Sequence, residues 1–255
     1  MLRMRILAQL VALTVVASLA GLPAAASPAA TSPPLGLAES FAVLAATAIT
    51  NVPTSAISGD VGLSPAAGSN YTGLTPAQVT GTIYAVDGTG PAGSVVSPTL
   101  LTAAKIDLVT AYDALASQMC DITYAGSKDL IGSTLVPGVY CADDFTLSGV
   151  LTLNGADTDV WVFKSASTLS TTGAANVILS TGGEPCYVWW QAGSSATLGT
   201  NTSLGGNILA LTSISLATGA NLDCRALARN GAVTMDQTTI TRPICPLPPT
   251  AVELL

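Results

Sequence analysis

The strongest constraint on this chain is a phrase that recurs every 18 or 19 residues in its second half. Val188–Thr200 reads VWWQAGSSATLGT, Asn207–Thr218 reads NILALTSISLAT, and Arg225–Asp236 reads RALARNGAVTMD. An earlier turn, Val160–Thr171, reads VWVFKSASTLST. Leu198 and Leu216 are 18 residues apart, and Leu216 and Met235 are 19 apart. Each unit is an apolar strand, a small-residue corner, a Thr/Ser-rich strand and a Gly/Asn corner. A period this short, without helical periodicity, predicts a mainly β fold of the parallel β-helix kind.

The two strand types make different demands. Val160–Phe163 and Asn207–Leu211 are apolar on both sides, as in strands covered on both faces. The cover is a helix expected over about 98–118, with Ser97 as cap and Pro98 at its first position. Leu101, Ala104, Leu108, Tyr112 and Leu115 share one helical face, widened by Leu100, Ile106 and Val109. Trp161 and Leu209 are expected beneath it. The other strand type alternates. Leu198, Ile214, Leu216, Val233 and Met235 point inward. Stacking the turns then aligns Thr168, Thr197, Ser215 and Thr234 in an outward column at ~4.8 Å spacing. Thr171, Thr200, Thr218 and Gln237 follow as a second column or its edge.

Composition narrows the function. Charged residues are 9% of the chain, against roughly 25% in ordinary soluble proteins. Apolar residues reach 49%, too many for a disordered chain. The net charge of −7 and only 8 Lys and Arg exclude a basic nucleic-acid surface. With no histidine and no C-x-x-C, a zinc site and Ser-His-Asp catalysis have no candidates. The close acidic pairs, Asp143 with Asp144 and Asp157 with Asp159, fall in expected turns, where Asp serves the backbone. No enzyme, cofactor or metal is expected.

Arg3 and Arg5, an interrupted apolar run over Ile6–Leu22, and the Ala24-x-Ala26 site form a signal-peptide pattern. The expected organisation is a leader at 1–26, a linker at 27–34, one solenoid domain at 35–246 and a flexible tail at 247–255. The mature chain is expected to be secreted, monomeric and free of the membrane. Export favours disulfides. Cys120 and Cys141 can close a short loop, and Cys224 and Cys245 are about one turn apart. That leaves Cys186 as the odd thiol, unless the tail folds back to bring Cys245 to it.

The motifs are also collectively familiar. Ala38–Ala45 (AESFAVLA) and Ser58–Pro65 (SGDVGLSP) resemble the opening of the bacterial and fungal ice-binding proteins with a discontinuous β-solenoid. Leu135–Tyr140 (LVPGVY) with Leu151-Thr152-Leu153 resembles the middle of that family. Trp190–Thr200, Gly206–Ala210 and Arg225–Thr234 resemble its end. The pieces appear in order over nearly the whole mature chain. Cys224 departs from the pattern, standing where the family usually has Gly.

The resemblance implies a right-handed, three-faced solenoid whose first turns are interrupted by the helix, with the two parts stacked into one body. It implies ice binding through one flat face, with thermal hysteresis and inhibition of recrystallisation. A Thr-(Ala/Gly)-x-(Thr/Asn) motif found in some members is complete at Thr218–Asn221 and kept only at its first position in Thr200–Ser203. The expected ice-binding residues are Thr168, Thr197, Ser215 and Thr234, continuing to Thr200, Thr202, Thr218 and Asn221. Ice has no charge pattern to pair with, so a neutral, rigid hydroxyl-and-methyl surface suits it. The competing reading is an extracellular structural or adhesin solenoid without activity on ice.

Overall fold

A computed structural model describes residues 29–244. The expected leader and the tail at 247–255 lie outside these residues, and so does Cys245. The chain forms a right-handed three-faced parallel β-helix with one helix packed along it. Each coil supplies a strand to a helix-covered face, then to a Thr/Ser face, then to a third face. Trp161–Ser165, Leu169–Thr171 and Asn176–Ser180 are one such coil. The Thr/Ser face is a separate 8-stranded sheet. The other two faces merge into a 16-stranded sheet. They merge because Ser203–Ala210 and Asn221–Ala228 run through the corner between them without interruption.

That corner requires an unusual backbone. Gly206 turns it at φ +121° and Gly59 at φ +127°. A Cβ at Gly206 would lie 2.8 Å from the carbonyl oxygen of Val188. Cys224, paired with Gly206 in the ladder, adopts φ +143°. Glycine is favoured there for backbone reasons, and the departure at Cys224 places a non-glycine residue at a cost of about 1–3 kcal/mol.

The coils do not stack in chain order. The sequence begins with Phe41–Ala45, Ile49–Val52 and Ala56–Ser58, and climbs through Asp60–Leu63 to Ile83–Ala85. The helix Pro98–Ser117 then returns along the body. The chain re-enters at the opposite end with Ile122–Thr123 and climbs to the coil of Asn221–Ala228, Val233–Asp236 and Thr239–Thr241. This last coil pairs with the first on all three faces: Val43 with Ala226, Thr50 with Thr234, and Ile57 with Ile240. Arg225, 2% exposed, bridges the seam. Its guanidinium donates to the Glu39 carbonyl at 3.1 and 3.2 Å and to Asn207 Oδ1 at 2.8 Å.

Inside, Tyr140, Phe163 and Trp190 stack on successive coils, with ring centroids 5.4 and 4.2 Å apart. Aromatic stacking of this kind pins the register more sharply than aliphatic burial. Trp161 belongs to this interior, so the expectation that it lies under the helix is corrected. Side chains alternate, and its neighbour Val162 is the residue that faces the helix, with Val139, Trp189, Leu209 and Leu227.

The helix buries Leu101, Ala104, Leu108, Ala111, Tyr112 and Leu115. Ile106 is instead 60% exposed, because it falls outside that stripe. Ser97 caps with its carbonyl, which accepts from Leu101 N–H, and not with its side chain. Polar ties fasten the helix to the coils. Lys105 Nζ donates to the carbonyls of Ala228 and Arg229, both at 2.7 Å. Lys164 Nζ donates to the Gln118 carbonyl at 2.6 Å, satisfying the helix C-terminus. The expected linker is docked where it is described: the Thr31 backbone exchanges two hydrogen bonds with the Gln118 side chain, and Trp189 donates to Ser32 Oγ.

Cys120 and Cys141 are joined, as the spacing suggests, with Cα atoms 5.9 Å apart. The other cysteine assignment is overturned. Cys224 is a buried free thiol and Cys186 is disulfide-bonded. Coil spacing alone paired Cys224 with Cys245, but the strained corner turns the Cys224 side chain into a fully buried position. Burial pushes its thiol up to about 12.

Two outcomes follow. Arg225→Leu removes the seam bridge and leaves the Glu39 carbonyl and Asn207 Oδ1 short of a donor. It should cost about 2–4 kcal/mol in a denaturant titration. Iodoacetamide should label Cys224 only after unfolding, as mapped by peptide mass spectrometry, and labelling in the native state at pH 8 would contradict its burial.

Candidate functional site

The Thr/Ser face is built from short strands with inward apolar and outward hydroxyl residues. Ladder pairing places Thr146, Ser170, Thr197, Ser215, Thr234, Thr50 and Thr72 in one outward column, one residue per coil. Thr197 and Thr72 are exposed and the others are half-buried. Coils repeat at ~4.8 Å, and outward residues along a strand repeat at ~6.6 Å, so the hydroxyls sit on a nearly rectangular grid. Beneath them Leu169, Ala196, Ile214, Val233 and Ile49 are buried and anchor the sheet to the core.

The flanks are small. Thr168, Ser195, Ser213, Ala232 and Ala48 follow from the same register on one side, and Thr172, Gly199, Ala217, Asp236 and Val52 on the other. Charge is confined to the margins. At the foot, Asp144 accepts from Thr168 N–H at 2.8 Å and from Thr168 Oγ1 at 2.7 Å. These bonds, led by the backbone one, hold its carboxyl below the usual range. At one edge Asp236 accepts a hydrogen bond from Thr218 Oγ1. Asp159 accepts from Ala156 N–H at 2.8 Å within its own turn. These carboxylates serve the backbone and hydroxyl network, and do not face one another across a cleft.

Of the residues expected at the site, Thr197, Ser215 and Thr234 stand in the central column. Thr168 does not. It lies two residues off, beside Ser195, and Ser170 takes the position that alternation assigned to it. The register follows Leu169 over Ala196, which leaves Thr171 at the inward level of Leu198. Thr171 is buried there and shares a 2.7 Å hydrogen bond with Thr202 Oγ1. Thr202 is 0% exposed and is therefore a core residue, not a surface one. Thr200 and Thr218 are exposed at the corner beyond the face, and Asn221 is exposed on the third face.

Thr146, Thr50 and Thr72 were missed with Ser170. Their signal was present. Ile49-Thr50-Asn51 repeats the inward-Thr-inward order of Val233-Thr234-Met235, but it comes from the far side of the discontinuity.

The third face is less regular. One outward column, Asn176, Ser203, Asn221 and Thr239, is polar but ends on Val150 and Ala56, and beside it Thr152, Ile178, Gly205, Asp223 and Thr241 mix in character, with Ile178 43% exposed.

Comparison with known proteins places these observations. The family model described as Ice-binding-like matches residues 43–241. An ice-binding protein of Nostoc sp. (strain HG1) is 44% identical over 211 residues, covering 81% of this chain and 73% of the relative. One of Flavobacterium frigoris (strain PS1) is 38% identical over 211 residues, covering 82% and 76%. The crystal structure of an ice-binding protein from the Antarctic ascomycete Antarctomyces psychrotrophicus superposes with a TM-score of 0.72 at 35% identity, covering 83% of this chain and 98% of that one.

The burial of Thr202 separates two otherwise similar positions. Thr202→Val should destabilise by about 1–3 kcal/mol, because it leaves the Thr171 hydroxyl, which still accepts from Gly199 N–H, without an acceptor for its proton and removes the donor to the Thr172 carbonyl. Thr200→Val should change stability by about 0.5 kcal/mol or less. Melting curves of the two variants decide this.

Proposed function

The chain belongs to the ice-binding-like family, and from that premise we propose that it adsorbs to ice through the hydroxyl column of its Thr/Ser face. One observation carries the reading: above Asp129 at its foot, the column runs from Thr146 to Thr72 through hydroxyl residues alone, one per coil of a continuous parallel sheet. Each Thr offers a methyl and a hydroxyl, which order a water layer without the strong hydration a charge would impose. Waters that bridge protein and lattice are nearly as favourable as direct hydrogen bonds. The sheet is already rigid, so little conformational freedom is lost on adsorption. The helix occupies one long face, and on the third face the polar column Asn176, Ser203, Asn221 and Thr239 is shorter, ends on Val150 and Ala56, and mixes Asn with Ser and Thr.

On this reading Thr197, Ser215 and Thr234 act with Ser170, Thr50 and Thr72, while Thr200, Thr218 and Asn221 form the margin toward the third face. The protein acts by adsorption and not by catalysis. It is exported, works as a monomer outside the cell, and slows ice growth and recrystallisation. Among the described residues no helix is long and apolar enough to cross a membrane.

Thr197→Tyr and Thr234→Tyr each place a bulky ring in the middle of the column. Both should lose most of the thermal hysteresis while keeping the melting curve of the parent. Ser203→Tyr, exposed on the third face, should keep it. Full hysteresis in the first two with loss in the third would move the site to the third face.

A further inference from the structure

We propose that contact with ice is centred on the seam between the two parts of the solenoid. Thr234 of the last coil and Thr50 of the first form its middle, Thr197, Ser215 and Thr72 complete it, and the foot of the column at Thr146 takes no part. The inference deepens the reading of the Thr/Ser face as the ice-binding surface and rests on it.

Two observations divide the column. The first is where its hydroxyls spend their hydrogen bonds. A hydroxyl has one proton and two lone pairs, and it rotates to suit its partners. At the foot those partners are protein groups. Thr146 and Ser170 share a bond at 3.3 Å. Beside them Thr168 Oγ1 donates to Asp144, and Ser195 Oγ bonds Thr212 Oγ1 at 2.6 Å. Below Thr146 the column ends on the Asp129 carboxylate, which accepts from Ile131 N–H at 3.1 Å and Ser148 N–H at 3.2 Å. From Thr197 upward the pattern changes. Among the described residues, the hydroxyls of Thr197, Ser215, Thr234, Thr50 and Thr72 bond to no protein group. Each is free to turn its proton toward or away from a water of the lattice, which a hydroxyl held by a protein partner is not.

The second observation is the flank. Beside Thr234 and Thr50 the hydroxyls of Ser195 and Ser213 give way to Ala232 and Ala48, which offer water no polar side chain. On the other side Asp236 carries a charge, but its carboxylate is engaged by Thr218 Oγ1 at the corner. The free hydroxyls and the plain flank coincide at the ladder where the last coil meets the first. The adsorbing surface is therefore composite, with three residues from the second part of the chain and two from the first, and neither part presents it alone.

The test compares Thr50→Gln, Thr234→Gln and Thr146→Gln in the full chain, by thermal hysteresis beside a melting curve. The amide is uncharged, so it meets no repulsion from Asp129, yet it stands above the face and holds water. Thr50→Gln and Thr234→Gln should each lower hysteresis several-fold, Thr146→Gln should keep it, and all three should melt with the parent. If a seam variant melts early, Thr50→Asn and Thr234→Asn replace the pair and are read in the same way. An equal loss in Thr146→Gln would overturn the proposal by spreading contact along the whole column. Full hysteresis in Thr50→Gln, with loss in a parallel Thr197→Tyr, would overturn the seam as centre and leave the face standing. Full hysteresis in Thr197→Tyr and in every Gln variant would bring down the face itself, and this proposal with it.

Discussion

The structure depends on one act of pairing, the parallel ladder between the first coil and the last. Neither part is a complete stack without it. The coils at the start carry their inward residues Val43, Ile49 and Ile57 with nothing below them until Ala226, Val233 and Ile240 arrive. The partners are nearly two hundred residues apart in the chain, so their meeting has a large loop-closure cost that local contacts cannot offset. Buried Arg225 suits this place. It donates across the seam to a backbone carbonyl and within its own part to Asn207, so the two halves share one satisfied donor set. The helix works on the same problem from outside, because Lys105 and Leu227 tie it to coils from the second half while Leu101 packs in the same cluster as Phe41 and Leu44.

Poverty of charge has a structural cause as well as a functional one. A β-helix repeats its surface, so a charged residue at an outward position meets its likes in the next coil at ~4.8 Å unless the sequence varies. Ser and Thr escape this. They can even pair along the column, as Thr146 and Ser170 do at 3.3 Å. The carboxylates that do occur near the Thr/Ser face are engaged by neighbouring hydroxyls, at Asp144 and Asp236. A surface selected for stackability is thereby also one that leaves water weakly perturbed.

Much of this was legible in the sequence wherever the signal was local. The repeat from Val160 to Asp236, the helix and its buried stripe, and the inward and outward sides of the later coils all follow from period and alternation. Errors arose where direction, not spacing, decided. Reading Leu169 against Leu198 put Thr168 in the column. Small Ala196 is the true partner of Leu169, and the space it leaves is consistent with a polar pair, Thr171 with Thr202, at the next inward level. At Cys224 the left-handed backbone of the corner turns the side chain into a fully buried position, which a count of coils cannot see. Thr50 and Thr72 were hidden for a different reason, because no local pattern announces that the chain's beginning is the continuation of its end.

The returning helix has a further consequence for how such a protein can change size. With 20 residues at 1.5 Å each it spans about 30 Å, and it connects opposite ends of the stack. It is a ruler. Duplicating a coil, the easiest route to a larger face in an ordinary solenoid, would separate those ends by a further ~4.8 Å and demand about three more helical residues. Three residues fall short of a full helical turn, so the insertion would also swing Leu108, Tyr112 and Leu115 off the coils they cover. Growth by repetition, open to most repeat proteins, is therefore closed to this one unless helix and stack lengthen together.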